Sequence, residues 1–156
     1  MRSDIDIAAW LKFSLVIPGR LAGMSMPGFN NPVDEEIDFL RKQGVVSMVN
    51  LSGNDYRSPL YRATFRVIDI PIVEYEPPSV KQMDQLIDMH LSLPMGQVMA
   101  VHCRGGIGRT GTVLACMLGK IEGLSGDEAI RMVRNTRLGS VESGPQLEFV
   151  KKYLGS

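Results

Sequence analysis

Val98-Met99-Ala100-Val101 runs directly into His102-Cys103-Arg104-Gly105-Gly106-Ile107-Gly108-Arg109-Thr110-Gly111. The first four residues are apolar without alternation, the pattern of a strand buried on both faces. From Thr110 a helical pattern continues to Glu122 and stops at Gly123, a glycine placed to end a helix. Strand, glycine-rich turn and helix in that order form the unit of a parallel α/β sheet. The turn also carries chemistry. Cys103 and Arg109 bracket five residues, three of them glycine. Backbone N–H groups in such a loop converge on an anion, and the helix N-terminus adds partial positive charge. Arg109 offers a planar fork for two phosphate oxygens. A thiol in that field loses its proton below its free pKa and becomes a nucleophile at neutral pH.

Outward from this unit, short β-type runs lie at Ser14–Ile17, Val45–Asn50 and Arg66–Ile70, with helical spacing at Asp34–Gln43 and Val80–Leu91. Ser125–Thr136 opens on the capping box Ser125/Glu128, and Ser143–Leu154 follows a Gly139-Ser140 break. The expected fold is α/β, one central, mostly parallel sheet with helices on both sides. At roughly 100–200 residues per domain, residues 1–156 make one domain, with 1–12 as an N-terminal extension.

Composition narrows the function. Lys plus Arg is 17 and Asp plus Glu is 17, so the basic excess of a nucleic-acid binder is missing and no nucleic-acid partner is expected. No apolar run reaches the eighteen or so residues that span a bilayer, so no membrane association is expected. Asp4 and Asp6 precede any apolar stretch, opposite to a secretory signal. Two cysteines make no disulfide framework. A cytoplasmic monomer is the expectation. The ten methionines read as core filling.

Two other phosphate motifs fail. Gly106-x-Gly108-x-x-Gly111 matches the dinucleotide fingerprint, but another helix follows Gly123 where a strand is needed. Arg131 stands about where the acidic residue belongs. The nucleotide-triphosphate loop requires Gly-Lys, and this chain has Gly108-Arg109.

His102, Cys103, Gly106, Arg109 and Thr110 match HCxxGxxR followed by Ser/Thr, and the chain resembles the cysteine-dependent protein phosphatases. Phe13–Gly23, Pro77-Pro78-Ser79 and Gly139-Ser140-Val141-Glu142 extend the likeness to the small atypical dual-specificity phosphatases, among them the dual-specificity phosphatase 23 type, and to archaeal tyrosine phosphatases. It covers Phe13 to Leu154. The resemblance implies a protein tyrosine phosphatase fold and hydrolysis of phosphotyrosine, with phosphoserine and phosphothreonine as further substrates, in proteins. It also implies a phosphocysteine intermediate, no metal and no cofactor. Cys103 would be the nucleophile, Arg109 the phosphate and transition-state ligand, and Thr110 the hydroxyl supporting the leaving thiolate. Arg104, Gly105, Gly106, Ile107 and Gly108 would line the phosphate pocket, with His102 orienting the loop from behind. The alternatives are a phosphoinositide or RNA 5′-phosphate phosphatase of the same fold, and a catalytically weak phosphobinding module.

The family's general acid is an aspartate after proline. Here the aligned loop reads Val73-Glu74, which makes Glu74 the preferred acid, with Asp69, Glu76 and the absence of any dedicated acid as alternatives. Gln146 aligns with a glutamine that positions water, but Ser143-x-x-Gln146 is equally a capping box. Arg137-Leu138-Gly139 replaces an arginine-proline-glycine turn and is expected to be less rigid. Cys116 reads as core, His90 as a surface or helix-end residue, and Trp10 as an anchor or an exposed tail.

Overall fold

The computed structural model describes residues 1–155; Ser156, the last residue of the expected domain, lies outside them. Five strands form one sheet: β1 (Ser14–Ile17), β2 (Leu21–Met24), β3 (Val45–Asn50), β4 (Arg66–Asp69) and β5 (Val98–His102), in the order β1-β2-β5-β3-β4. β1 is an antiparallel edge, and the other neighbours are parallel. This is the mostly parallel α/β sheet that the alternation predicts.

Alternation along β5 divides the interior in two. Met99 and Val101 face a core built with α4 (Val80–Leu91), α5 (Gly108–Glu122), α6 (Gly126–Thr136) and α7 (Gly144–Leu154). Val98 and Ala100 face the other core, closed by α1 (Asp4–Leu11), α2 (Val33–Lys42) and α3 (Leu60–Thr64). β5 is buried at every position, as its unbroken apolar run requires. α5 is buried from Gly108 to Gly119 because sheet and helices enclose it. Met24, Met26, Met48, Met83, Met99 and Met117 are buried, in keeping with core filling.

Register brings the carboxyl ends of the parallel strands to one row. Met24 and Asn50 both pair with His102, and Asn50 pairs with Asp69. The loops after β2, β3, β4 and β5 therefore leave the sheet side by side. The central β5 lies between strands that precede it in sequence, the switch point where α/β sheets place ligands.

Three elements were not foreseen. β2 is four residues with a glycine and no alternation, and it becomes a strand because β1 and β5 flank it. α3 is a single short turn. α1 occupies most of the expected extension. Ser3 caps it by accepting from the Asp6 N–H, Asp4 and Asp6 suit its N-terminal dipole, and Ile7 and Leu11 are buried. Trp10 stays 57% exposed, with the Arg2 guanidinium over its ring.

Two expectations are corrected. His90 is buried, at 1% exposure, because it sits on the inward face of the last α4 turn; burial pushes its pKa down to about 4. The Arg137 turn is not loose. The Arg137 side chain is buried and donates to Lys12 O, Ser14 Oγ, Gly23 O and Gly106 O, binding the turn to β2 and to the glycine loop. Cys116 is fully buried, and burial drives its thiol pKa upward, as a core residue's should be.

Candidate active site

The segment Cys103–Ile107 turns from the end of β5 into α5. Gly106 makes the turn possible: its φ is +77°, and a Cβ there would stand 2.7 Å from Met24 O. The Gly106 N–H reaches back to Cys103 Sγ at 3.3 Å, while Arg137 holds the Gly106 carbonyl on the far side. Peptide N–H and C=O groups point in opposite directions, so anchoring that carbonyl turns the following Ile107 N–H away from Arg137.

Cys103 is 3% exposed. Burial alone would push its thiol up. The hydroxyl and backbone N–H of Thr110, the Gly106 N–H and the Arg109 charge outweigh burial, and the thiol ends below its ordinary value. Thr110 Oγ1 is buried without a partner of good hydrogen-bond geometry, so it acts on the sulfur as a nearby dipole, not through a full bond.

Behind the thiol, His102 Nδ1 lies 3.2 Å from Cys103 O, and Nε2 lies 2.7 Å from Tyr56 OH. A carbonyl can only accept, so we assign the proton to Nδ1, and Tyr56 then donates to Nε2. Burial pushes the His102 pKa down to about 4 and keeps the ring neutral.

Arg109 crosses the floor. Its Nη1 donates to Ile72 O at 3.0 Å, with Leu51 O and Ser52 O at 3.5 Å, so loops from β3 and β4 aim it. Cys103, Arg104, Gly105, Ile107, Gly108 and Arg109 line one cleft of about 260 Å³, whose wall is completed by Glu74, Tyr75 and Glu142. Gly106 lies just behind it. Among the three acids offered by the sequence, Glu74 reaches this cleft. Asp69 is held on Arg62 by both oxygens, at 2.9 and 3.1 Å, beside a separate cleft. The exposed Glu76 is not on the wall and contributes its carbonyl to Gln146 Nε2 at 3.3 Å.

Gln146 completes the capping box and also reaches the acid loop. Its Oε1 accepts from the N–H groups of Ser143 and Glu142, completing the α7 capping box, while Nε2 holds the acid loop. Ser143 Oγ donates to Tyr75 O at 2.6 Å. Tyr75 has φ +66°, a left-handed conformation costly for a side chain of this size. The α7 cap thus fixes the loop that carries Glu74.

Several of these residues escaped the sequence. Tyr56, Arg137 and Ser143 reach His102, Gly106 and Tyr75 across more than thirty positions, and no local pattern announces those contacts. Glu142 could have been suspected from its place beside the α7 cap. Its carboxylate lies over Gly108, where a Cβ would stand 2.6 Å from Oε1. Among the described residues no group of three His, Cys, Asp or Glu side chains is placed to hold a metal ion, and no helix is long and apolar enough to cross a membrane.

Residues 11–150 match the family model described as Swiss Army Knife protein, DSP-PTPase phosphatase domain. The chain is 32% identical over 150 residues to tyrosine-protein phosphatase cdc-14 of Caenorhabditis elegans, covering 88% of this chain and 20% of that protein. It is 31% identical over 122 residues to protein tyrosine phosphatase type IVA 3 of Homo sapiens, covering 75% and 69%. The chain spans about a fifth to a quarter of the length of its cdc-14 relatives. The crystal structure of Tk-PTP in the active form has a TM-score of 0.75 at 30% identity, covering 92% of this chain and 97% of that one.

Proposed function

This chain belongs to the DSP-PTPase phosphatase family of cysteine-dependent phosphatases, and on that premise we propose that it hydrolyses phosphotyrosine in proteins, with phosphoserine and phosphothreonine as further substrates. The observation that carries the reading is the meeting, in one cleft, of a thiol held toward thiolate, the Arg109 guanidinium and the Glu74 carboxyl group.

The Cys103 thiolate attacks phosphorus in line. The S–P bond forms as the P–O bond to the tyrosine oxygen breaks, and protonated Glu74 gives that oxygen its proton. Arg109 and the N–H groups of the loop hold the equatorial oxygens, where charge is spread in the transition state. Water then attacks the phosphocysteine, Glu74 takes a proton from it, and the S–P bond breaks to release phosphate. The Thr110 dipole beside the sulfur favours the departing thiolate. His102 stays neutral behind the loop and orients it.

Acid quench during the first turnover of a phosphotyrosine peptide should trap phosphate on Cys103. Cys103→Ser should give neither trapped phosphate nor turnover, yet still bind inorganic phosphate through the intact cradle. Turnover by Cys103→Ser would overturn the covalent mechanism. Phosphate binding by the wild type without turnover would favour the phosphobinding module.

A further inference from the structure

Next to the catalytic cleft lies a second cleft of about 340 Å³, lined by Lys12, Ser25, Met26, Phe29, Asn30, Arg104 and Gly105. Arg104 and Gly105 line both, so the two clefts adjoin at those residues. The second cleft is cationic. The guanidiniums of Arg104 and Arg57 stand over the same Phe29 ring, at 4.4 and 3.9 Å from its centre. Among the described residues neither forms a salt bridge, and no hydrogen bond from either side chain to the protein is present. Asp55, two positions from Arg57, is committed to Arg62 at 2.9 Å. Lys12 Nζ reaches the Gly105 carbonyl at 3.4 Å and also lacks a carboxylate. No acidic residue lines the cleft.

Two guanidiniums stacked on one ring are ordered by cation–π attraction and kept apart from counter-charges, at a cost in mutual repulsion that an anion relieves. Lys12 and Arg104 line the cleft, Arg57 stands beside it over the Phe29 ring, and all three are exposed, so the charge is at the rim and not on the floor. A phosphoryl group being hydrolysed sits on the floor, beside Cys103. The rim therefore suits a different anion on the same substrate, carried by a neighbouring residue.

We infer that the Arg57–Phe29–Arg104 cleft, with Lys12, is a subsite for a second anionic side chain of a phosphopeptide, a carboxylate or a second phosphate flanking the residue that is dephosphorylated. The inference rests on the phosphatase reading above and deepens it to a substrate class. An extended peptide suits the arrangement because its side chains are spaced along a backbone lying over the rim, each free to enter its own cleft.

The test is a peptide set with one central phosphotyrosine and alanine, glutamate or phosphothreonine placed in turn at the three positions on either side. At one or two positions wild-type kcat/KM should be higher with the anion than with alanine. Arg57→Gln, which removes charge outside the catalytic cleft, should lower that preference by about two- to fivefold, the worth of an exposed ion pair. Its rate on alanine-flanked peptide and on a small aryl phosphate should be unchanged, and 0.5 M salt should erase the wild-type preference. Glutamate against phosphothreonine separates the two sources of the anion.

Equal kcat/KM for alanine and anionic flanks would overturn the subsite, as would an equal loss on both in Arg57→Gln. With vesicles containing a phosphoinositide assayed beside the peptides, a loss in Arg57→Gln confined to the vesicles would assign the cleft to a lipid headgroup and overturn the peptide. Absence of hydrolysis of the small aryl phosphate by the wild type would instead overturn the phosphatase reading, which keeps the two failures distinct.

Discussion

Ser143 carries two loads on one hydroxyl, and separating them tests how the acid loop is held. Its oxygen accepts from the Gln146 N–H at 3.2 Å as the α7 N-cap, and its proton goes to Tyr75 O at 2.6 Å. Ser143→Ala removes both. Loss of the cap costs about 1 kcal/mol, and loss of the bond to Tyr75 costs about 1 kcal/mol more. At about 2–4 °C per kcal/mol for a domain of this size, Tm should fall by about 4–8 °C. The second loss acts on chemistry. Tyr75 stands at φ +66°, a conformation worth about 1 kcal/mol or more of strain, so the loop relaxes once a tie is cut. A tie of about 1 kcal/mol corresponds to roughly fivefold in the population that presents Glu74.

Two further variants separate the loads. Aspartate caps as well as serine, but its carboxylate has no proton to give the Tyr75 carbonyl. Ser143→Asp should therefore keep the cap, lower Tm by only the share of the Tyr75 bond, about 2–4 °C, and still lose roughly fivefold. Asparagine both accepts and donates, so Ser143→Asn should restore most of the rate. The assay is kcat/KM across aryl phosphates of rising leaving-group pKa, with phosphotyrosine at the poor end. The loss should appear there and fall below about twofold for an activated nitrophenol, which departs without a proton. Glu74→Gln sets the scale, with about 10²–10⁴-fold loss at the poor end. A wild-type slope in Ser143→Asp, or equal loss on every substrate in Ser143→Ala, would refute the role of the cap. No leaving-group dependence in Glu74→Gln would remove Glu74 from the mechanism altogether.

Two predictions concern titration. Cys103, with its pKa lowered, should react with iodoacetate at pH 7 and show a midpoint below that of a free thiol; inorganic phosphate should protect it, while Cys116, with its pKa raised, stays unmodified until the protein unfolds. Equal labelling of both in the native state would contradict these environments. Burial holds both His102 and His90 near 4 when folded against 6.5 when unfolded, so the unfolded chain binds more protons between those values and stability must fall as pH drops from 6.5 to 4, by about 3 kcal/mol for each histidine. Tyr56→Phe should add about 1–3 kcal/mol of destabilisation at pH 7, by leaving Nε2 buried without its donor, and chemical denaturation at pH 7 and 5 measures both.

What was legible in the sequence is what is local. The buried strand, the glycine turn and α5 form one unbroken stretch, Val98–Glu122, and the capping boxes of α6 and α7 each lie within four residues. β2 was not legible, because Leu21–Met24 becomes a strand only between β1 and β5, and β5 follows it by more than seventy positions. His90 stands at the helix end as expected but not on the surface, because the face it occupies is set by packing, which a polar residue type does not disclose. Arg137 was underrated for a related reason. Its neighbours Leu138 and Gly139 suggest mobility, but its four acceptors come from residues 12, 14, 23 and 106. Formal neutrality misleads in the same way. A net charge of zero describes the whole chain, while Lys12, Arg57 and Arg104 gather at one rim without a carboxylate among them.

The choice among the loop acids follows from the same row of strand ends that builds the site. β4 ends at Asp69, level with Asn50 and one strand further from β5. At that edge Asp69 is offered a better partner than a distant phosphoester. Arg62 of α3 takes both its oxygens and also holds Asp55, and burying none of these groups keeps the network compatible with water. An aspartate so engaged would have to give up both bonds to Arg62 before reaching the cleft, whereas Glu74 already stands on the cleft wall. The chain must therefore travel back toward β5 before an acid can serve. It does so through Pro71–Val73, with the Ile72 N–H on Leu51 O and the Ile72 carbonyl on Arg109, so the residue next but one meets the thiol cleft. That residue is Glu74, and the loop that carries it is anchored to Arg109 on one side and to Ser143 on the other.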